Sequence, residues 1–373
     1  MTHCLRHVRS RTGFRTIRRL APGAAVLSAS LICVSSAVAA DEDIRLATVG
    51  YAPERAKVAT VVGAVGTAFV VKSSPDGATT LKGNLSESVV DPDSKEEVRF
   101  ADFSSLEKPG RYFLEVEGLG RSLEFPIGPD VYREQLKTVM LGFYGWRSGP
   151  AVQFTHRDQV FKQGPGHLHD GLLDYLGQSG VNRDGSHGWY DAGDYGKYTV
   201  NGAFALGMML KAWEMFPTAL SALELPIPER GGSFPDFLDE LKWEFDWLQT
   251  MQYSDTDGRV SHKLTSLEFA EFIMPEADVA PTYYSPYGTA AAADFVAAMA
   301  MGARVFRRYD SGLADRMLGA AKVTDAWLAA NAADIAPDIK DFKTGAYTTT
   351  DTDDRLWAAA EMWETTGDAS ALS

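Results

Sequence analysis

Apolar residues recur along this chain with two different periods. From Asp41 to about Gly128 they alternate. Residues 58–71 are rich in Val and Ala, with Phe69 and Val71 on one face, and Ser74-Pro75-Asp76-Gly77 closes the run as a turn. After a second turn at Lys108-Pro109-Gly110, Tyr112, Leu114 and Val116 point one way while Glu115 and Glu117 point the other. Gly118-Leu119-Gly120 reverses the chain, and Leu123, Phe125 and Ile127 alternate again. This pattern predicts a hairpin with one buried face. A run of short strands over this length fits an immunoglobulin-like sandwich.

From Val131 onward the period becomes helical. Val131 to Trp146 reads as a first helix, stopped by Arg147-Ser148-Gly149-Pro150, and Val200 to Phe216 as a buried one. In Pro235 to Met251, Leu238, Leu241, Phe245 and Leu248 recur at helical spacing; Pro235 opens the helix, and Asp236, Asp239 and Glu240 crowd its first turns. Thr289 to Tyr309, Leu313 to Ala330 and Asp353 to Thr366 complete the set, the last closing at Gly367. The connections 147–190 and 254–286 are long, and such loops on a helical scaffold are where binding residues tend to lie. No short internal repeat is visible.

Charge changes the picture at the N-terminus. Residues 1–20 carry Arg6, Arg9, Arg11, Arg15, Arg18 and Arg19 and no acid; residues 21–40 are apolar or small and end Ser36-Ala37-Val38-Ala39-Ala40. A basic region, an apolar region and an A-x-A-like site predict a signal peptide over 1–40, cleaved near Ala39 or Ala40. Pro22 and Gly23 break the apolar run, which is too short for a spanning helix. Arg18-Arg19 is compatible with twin-arginine export, and the export route stays open. Both cysteines, Cys4 and Cys33, fall inside this leader, so the mature chain is expected to lack disulfides and thiolate metal sites. Export places it outside the cell or in a periplasm. The net charge of -14 becomes -20 once six arginines are removed (-14 - 6 = -20). That acidity argues against nucleic acid or an anionic membrane as partner and is compatible with a neutral polysaccharide. Ala290 to Val305 is apolar, but Asp294 and Arg304 interrupt it, so it reads as a packed helix.

The candidate chemistry lies in Gly188-Trp189-Tyr190-Asp191-Ala192-Gly193-Asp194-Tyr195-Gly196-Lys197-Tyr198. Two carboxylates sit three residues apart on a turn relaxed by glycine, just before a helix. Backbone amides at such a turn keep carboxylates ionised, and two ionised carboxylates can orient and deprotonate a water. The aromatic residues around them suit the apolar face of a sugar. An Asp-Gly turn before a helix also serves as a plain cap.

The longer stretch His187 to Asn201 resembles glycoside hydrolase family 9, the cellulase and endoglucanase group, whose water-activating segment reads G-G-W-Y-D-A-G-D-Y-G-K-Y. His187 stands where the first Gly usually is. Phe234-Pro235-Asp236-Phe237-Leu238-Asp239-Glu240, Trp247 to Gln252, Gly258 to Lys263, Ala290 to Phe295 and Trp357 to Glu361 resemble further family segments. Val49-Gly50-Tyr51-Ala52-Pro53, Ala101-Asp102-Phe103-Ser104 and Pro109-Gly110-Arg111-Tyr112 resemble the immunoglobulin-like domain that precedes the catalytic domain in one branch.

The resemblance runs from about residue 44 to the end. It implies a multidomain protein: a β-sandwich over 41–129, then over 130–373 an all-α (α/α)6 barrel of six inner and six outer helices, of which only about the first half is present. The barrel needs about twelve helices, and the pattern gives six or seven. The family's H-R motif and late general-acid Glu are missing, so the chain is expected to be a fragment, inactive alone. Alone, the β domain reads as a structural or a glycan-binding module, and the structural reading is favoured because its turns show no aromatic platform.

The resemblance also implies the mechanism. The family cleaves β-1,4-glucosidic bonds with inversion, one carboxylate activating water while a carboxyl roughly 6.5–9.5 Å away protonates the leaving oxygen. Asp194 is assigned as base and Asp191 as its partner in holding the water; Trp189, Tyr190 and Tyr195 are candidate sugar contacts, and His262 is either a sugar contact or a structural loop histidine. Some relatives hold zinc with two cysteines, but here Ser148 replaces one and Gly166-His167 occupies the neighbourhood of the other. His167, His169 and Asp170 remain a usable ligand trio, with loop histidines bonded to backbone as the alternative. No cofactor is required for the chemistry; zinc is not expected, and a structural calcium is compatible with the family but has no assigned residues. Asp255-Thr256-Asp257-Gly258 reads as a turn and Asp351 to Asp354 as a helix cap. The protein is expected to be a monomer acting on cellulose or a related β-glucan. The competing readings are a non-catalytic glycan-binding or structural fragment and an exo-acting cello-oligosaccharide or glucosaminide hydrolase.

Overall fold

The computed structural model describes residues 42–63, 66–171, 173–174, 183–253, 257–346 and 348–372. The leader with Cys4 and Cys33 lies outside these residues, as do Asp255 and Thr256.

The N-terminal part is two antiparallel sheets packed face to face. In one, Val58–Val62 pairs with Ile44–Arg45 and with Glu97–Asp102, which also carries Val89–Val90. In the other, Ala68–Ser73 lies between Thr79–Asn84 and Gly110–Val116. Alternation puts Ala59, Val61, Phe69, Val71, Leu114 and Val116 into one core, centred on Tyr51, Phe103 and Phe125. The rings of Tyr51 and Phe103 stand 5.3 Å apart edge to face, as ring quadrupoles prefer. The return arm of the hairpin departs from expectation. It pairs as Gly120–Arg121, breaks, and resumes as Phe125–Ile127, so Leu123 is 59% exposed. Ser122 takes the buried place instead, its Oγ accepting from Leu114 N at 2.9 Å.

Beyond Ile127 the chain is helical: α1 Arg133–Gly145, α2 Thr199–Met215, α3 Pro217–Ser221, α4 Asp236–Thr250, α5 Thr289–Phe306, α6 Ser311–Ala330 and α7 Thr352–Thr366. The Tyr132 hydroxyl donates to Gly50 O at 3.1 Å and ties the helical part to the sandwich. Boundaries fall within two or three residues of the sequence pattern, because the punctuation is chemical. Asp310 caps α6 by accepting from Leu313 N at 2.9 Å, and Gly367 ends α7 at φ 72°.

Helix α5 is the centre of this part. It packs on α2, α6 and α7, and nearly every residue is buried. Alanines at 290–293, 297, 298, 300 and 303 let its neighbours approach closely. It is apolar and long enough to cross a membrane, but 94% of it is buried inside the protein, as expected of a packed core helix. Phe204 and Met208 of α2 and Trp357 of α7 border a cavity of about 690 Å³ floored by Met301 and Asp294.

The long connection after α1 holds a hairpin, Val152–His156 with Gln159–Gln163, that the helical pattern did not anticipate. Phe154 and Phe161, stacked at 5.2 Å, give it an apolar face. A second small sheet organises the later loops. Lys197–Tyr198 pairs antiparallel with Lys263–Thr265, which pairs with Tyr283–Tyr284.

Candidate active site

The two aspartates sit on a turn fastened at both ends. At its start, Ser148 N donates to Gly188 O at 2.8 Å and Tyr190 N to Trp146 O at 2.9 Å. At its end, Lys197–Tyr198 joins the small sheet, and Thr199 N donates to His262 O at 3.0 Å. Across its middle, Asp191 N donates to Gly196 O at 2.9 Å. The carboxylates therefore precede a two-residue strand, and α2 starts only at Thr199. Gly188 is at φ 77°, where a Cβ would stand 2.6 Å from the Trp247 ring. At Gly196 a Cβ would meet Thr265 Oγ1 and the Tyr198 hydroxyl at 2.8 Å. Gly193 is not in the left-handed region; Tyr195 is, at φ 54°, and His187 at φ 76°. The strain of the turn thus falls on side-chain-bearing residues.

Asp191 is exposed, and its Oδ1 accepts from Asn201 Nδ2 at 2.9 Å. Asp194 is half-buried; its Oδ1 accepts from Gly196 N at 3.1 Å and its Oδ2 from the Tyr198 hydroxyl. Both carboxylates are thus held by neutral donors. Lys263 lies near enough to feel Asp194. Burial pushes its ammonium down to about 8, and the aspartate opposes that fall. Lys263 Nζ donates to Thr344 O at 2.5 Å and Gly345 O at 3.0 Å. Asp191 lines a small cavity of about 130 Å³ with Trp146, Trp189, Asn201 and Glu244. Asn201 also lines the 690 Å³ cavity, so one side chain borders both.

The aromatic residues are placed differently from expectation. Trp189 and Tyr190 are buried at 6% and 4% exposure, so neither offers an open face to a sugar. Tyr190 packs on His167 and Tyr195, bonds to Ser148, and burial pushes its phenol well up. Tyr195 is half-buried, its hydroxyl donating to Ile273 O. His262 is 2% exposed. Of its two readings this burial favours the structural one, and its backbone bonds Thr199 N and Pro286 O. Trp146, half open at the end of α1, is an exposed aromatic beside the site.

The trio His167, His169 and Asp170 does not form a ligand set. Asp170 Oδ2 lies 2.8 Å from Lys197 Nζ, and Asp170 Oδ1 lies 3.0 Å from both His167 Nδ1 and Thr282 Oγ1. His169 is exposed. Among the described residues no three His, Cys, Asp or Glu side chains are gathered as a metal-holding group. Asp351 stands at the N-cap position of α7 without a side-chain capping bond and pairs with Arg355 Nε at 2.7 Å, and Asp257 accepts from Arg259 N at 3.0 Å.

Beneath the turn lies a charged layer absent from the sequence reading. Arg147 is buried and pairs with Glu240 at 3.0 Å and Glu229 at 2.9 Å. Glu240 Oε1 accepts from the Trp189 indole at 2.9 Å, and Glu244 Oε2 from Trp189 N at 2.6 Å. The signal was an i, i+4 pair of acids inside the apolar stripe of α4.

Residues 132–373 match the family model described as glycosyl hydrolase family 9. The chain belongs to this family. Residues 39–121 match the cellulase N-terminal ig-like domain. Over 333 residues the chain is 46% identical to endoglucanase D of Acetivibrio thermocellus, covering 89% of this chain and 53% of that protein. It is 31% identical to a xyloglucan-specific endo-β-1,4-glucanase of Bacteroides ovatus, covering 89% of this chain and 59% of that one. A solved metagenome-derived family 9 endoglucanase superposes with a TM-score of 0.78 at 34% identity, over 88% of this chain and 62% of its own. The chain spans about half the length of the curated relatives it matches. The family 9 match contains the aspartate turn and all seven helices, and the second match lies on the β-sandwich.

Proposed function

We propose that this chain is the N-terminal part of a secreted glycoside hydrolase that cleaves β-1,4-glucosidic bonds of cellulose or a related β-glucan with inversion. The observation carrying this reading is the Asp191–Asp194 turn, with one carboxylate exposed and the other half-buried, both held by neutral donors. Asp194 is the general base and Asp191 its partner in holding the attacking water. The bond from Tyr198 and the amide of Gly196 fix the Asp194 carboxylate while leaving a lone pair for water. The water's proton passes to Asp194 as its oxygen attacks the anomeric carbon. The protonated carboxyl that serves the leaving oxygen belongs to the rest of the polypeptide.

The helices fit three inner and outer pairs of a six-pair barrel, α2, α5 and α7 inside and α1, α4 and α6 outside. That half-barrel reading is supported by the packing of α5 between α2 and α7 and by the open apolar flank of Phe204, Met208 and Trp357. The basic, then apolar, leader supports export, and the acidic balance of the chain supports a neutral polysaccharide partner. The test is to express the complete reading frame containing this chain and measure reducing ends released from a soluble cellulose derivative, with the product anomer read by NMR. Release of the α-anomer supports the proposal; β-product, or glucan binding without turnover, overturns it.

A further inference from the structure

Trp189 stands two residues before Asp191 and is held by two carboxyl groups from a helix about fifty residues away in sequence. Its backbone N–H has no carbonyl partner in the turn; Glu244 Oε2 accepts it at 2.6 Å. Its indole N–H goes to Glu240 Oε1 at 2.9 Å, one helical turn earlier on α4. Glu240 is locked by Arg147, which forms an isolated bridge with Trp189. Glu244 is 1% exposed, yet it lines the small cavity beside Asp191 and Asn201. Room for it exists because residue 202 of α2 is glycine: a methyl there would overlap Glu244 Oε1. Three elements, the turn, α2 and α4, are therefore built around one buried carboxyl group.

We propose that Glu244 is a positioning residue: its carboxyl clamps Trp189 N–H to α4 and so sets where Asp191 stands relative to Asp194. The proposal rests on the hydrolase reading above and deepens it. The groups that act on Glu244 are the Trp189 amide, Lys197 from the small sheet, Glu240 on its own helix and Asp191 across the cavity. Burial pushes its carboxyl up to about 8, against the pull of the Trp189 amide and Lys197. Glu244 accepts the Trp189 amide through Oε2. A glutamine keeps an acceptor oxygen for that amide, whereas a leucine of similar size keeps none.

The experiment compares wild type, Glu244→Gln and Glu244→Leu in the complete reading frame. It measures hydrogen exchange at the Trp189 amide, and kcat and KM on a soluble cellulose derivative. Glu244→Leu is expected to exchange Trp189 at least about tenfold faster and to lose roughly 10- to 100-fold in kcat with KM nearly unchanged, the scale of a misplacement near 1 Å. Glu244→Gln is expected to restore protection and recover most of the lost kcat. A leucine variant with Trp189 still protected, or a glutamine variant as impaired as leucine, overturns the proposal. Should the wild type not hydrolyse glucan, the hydrolase reading fails while the exchange data still decide the clamp. Should Glu244→Leu not fold, Gly202→Ala displaces the same carboxyl from α2 and is expected to give the same loss of Trp189 protection; retained protection there overturns the clamp.

Discussion

Replacing Lys197 by methionine is expected to cost far more than its place beside the aspartates suggests. The ammonium is fully buried and meets Asp170 Oδ2 at 2.8 Å, Gly185 O at 2.6 Å and His187 O at 2.9 Å. Methionine keeps the volume and removes every one of these bonds. Asp170, 3% exposed, is left as a buried charge with, among the described residues, His167 and Thr282 as side-chain partners. Breaking a buried pair from one side costs about 3–5 kcal/mol. For a cooperative unit of roughly 150–250 residues each kcal/mol is about 2–4 °C, so the loss is on the order of 10 °C in Tm. Asp170→Asn in the Lys197→Met background removes the orphaned charge and is expected to recover at least about 2 kcal/mol, a coupling that independent sites would not show. Urea denaturation of the four proteins of the cycle measures it. A single variant costing under about 1 kcal/mol, or additive effects in the double, would refute the ion-pair argument.

Stability is expected to fall as pH rises from about 5 to 8. Burial raises the carboxyls of Asp354 to about 6, Asp239 to about 7 and Glu244 and Asp294 to about 8. In that window the unfolded chain has released protons that the folded one keeps, so the slope is downward; a Tm higher at pH 8 than at pH 5.5 contradicts it. Gly188→Ala puts a Cβ at φ 77° and 2.6 Å from the Trp247 ring, and is expected to destabilise by about 2–3 kcal/mol or more in thermal unfolding. His167→Ala removes a buried imidazole bonded to Asp170 and is expected to lower Tm by several degrees. His169→Ala, at an exposed position, is expected to leave Tm unchanged; equal effects would restore the pair as a joint site.

What was legible in the sequence followed from local rules. Helix limits came from Pro235, Gly367 and the apolar spacing of α4, and the aspartate turn from its glycines. What was not legible depended on residues distant in sequence. Leu123 read as core because alternation was extended through Gly120–Arg121, but the strand breaks there and Ser122 takes the inner place. Trp189 and Tyr190 read as sugar contacts because a single motif does not tell which face of a turn is packed. Asp236 and Glu240 read as charges placed by the helix dipole. The fold buries them to accept from Leu225 N at 2.7 Å and from Arg147 and Trp189. The histidine trio failed as a ligand set because Asp170 is taken by Lys197, a pairing visible only once the two loops meet.

The account stands most directly on Asp194. Asp194→Asn in the complete polypeptide keeps the size of the side chain and its hydrogen-bond acceptor but removes the base, so hydrolysis of a soluble cellulose derivative is expected to fall by about 10²–10⁴-fold while cello-oligosaccharide still binds. Turnover near wild type in that variant would contradict the assignment.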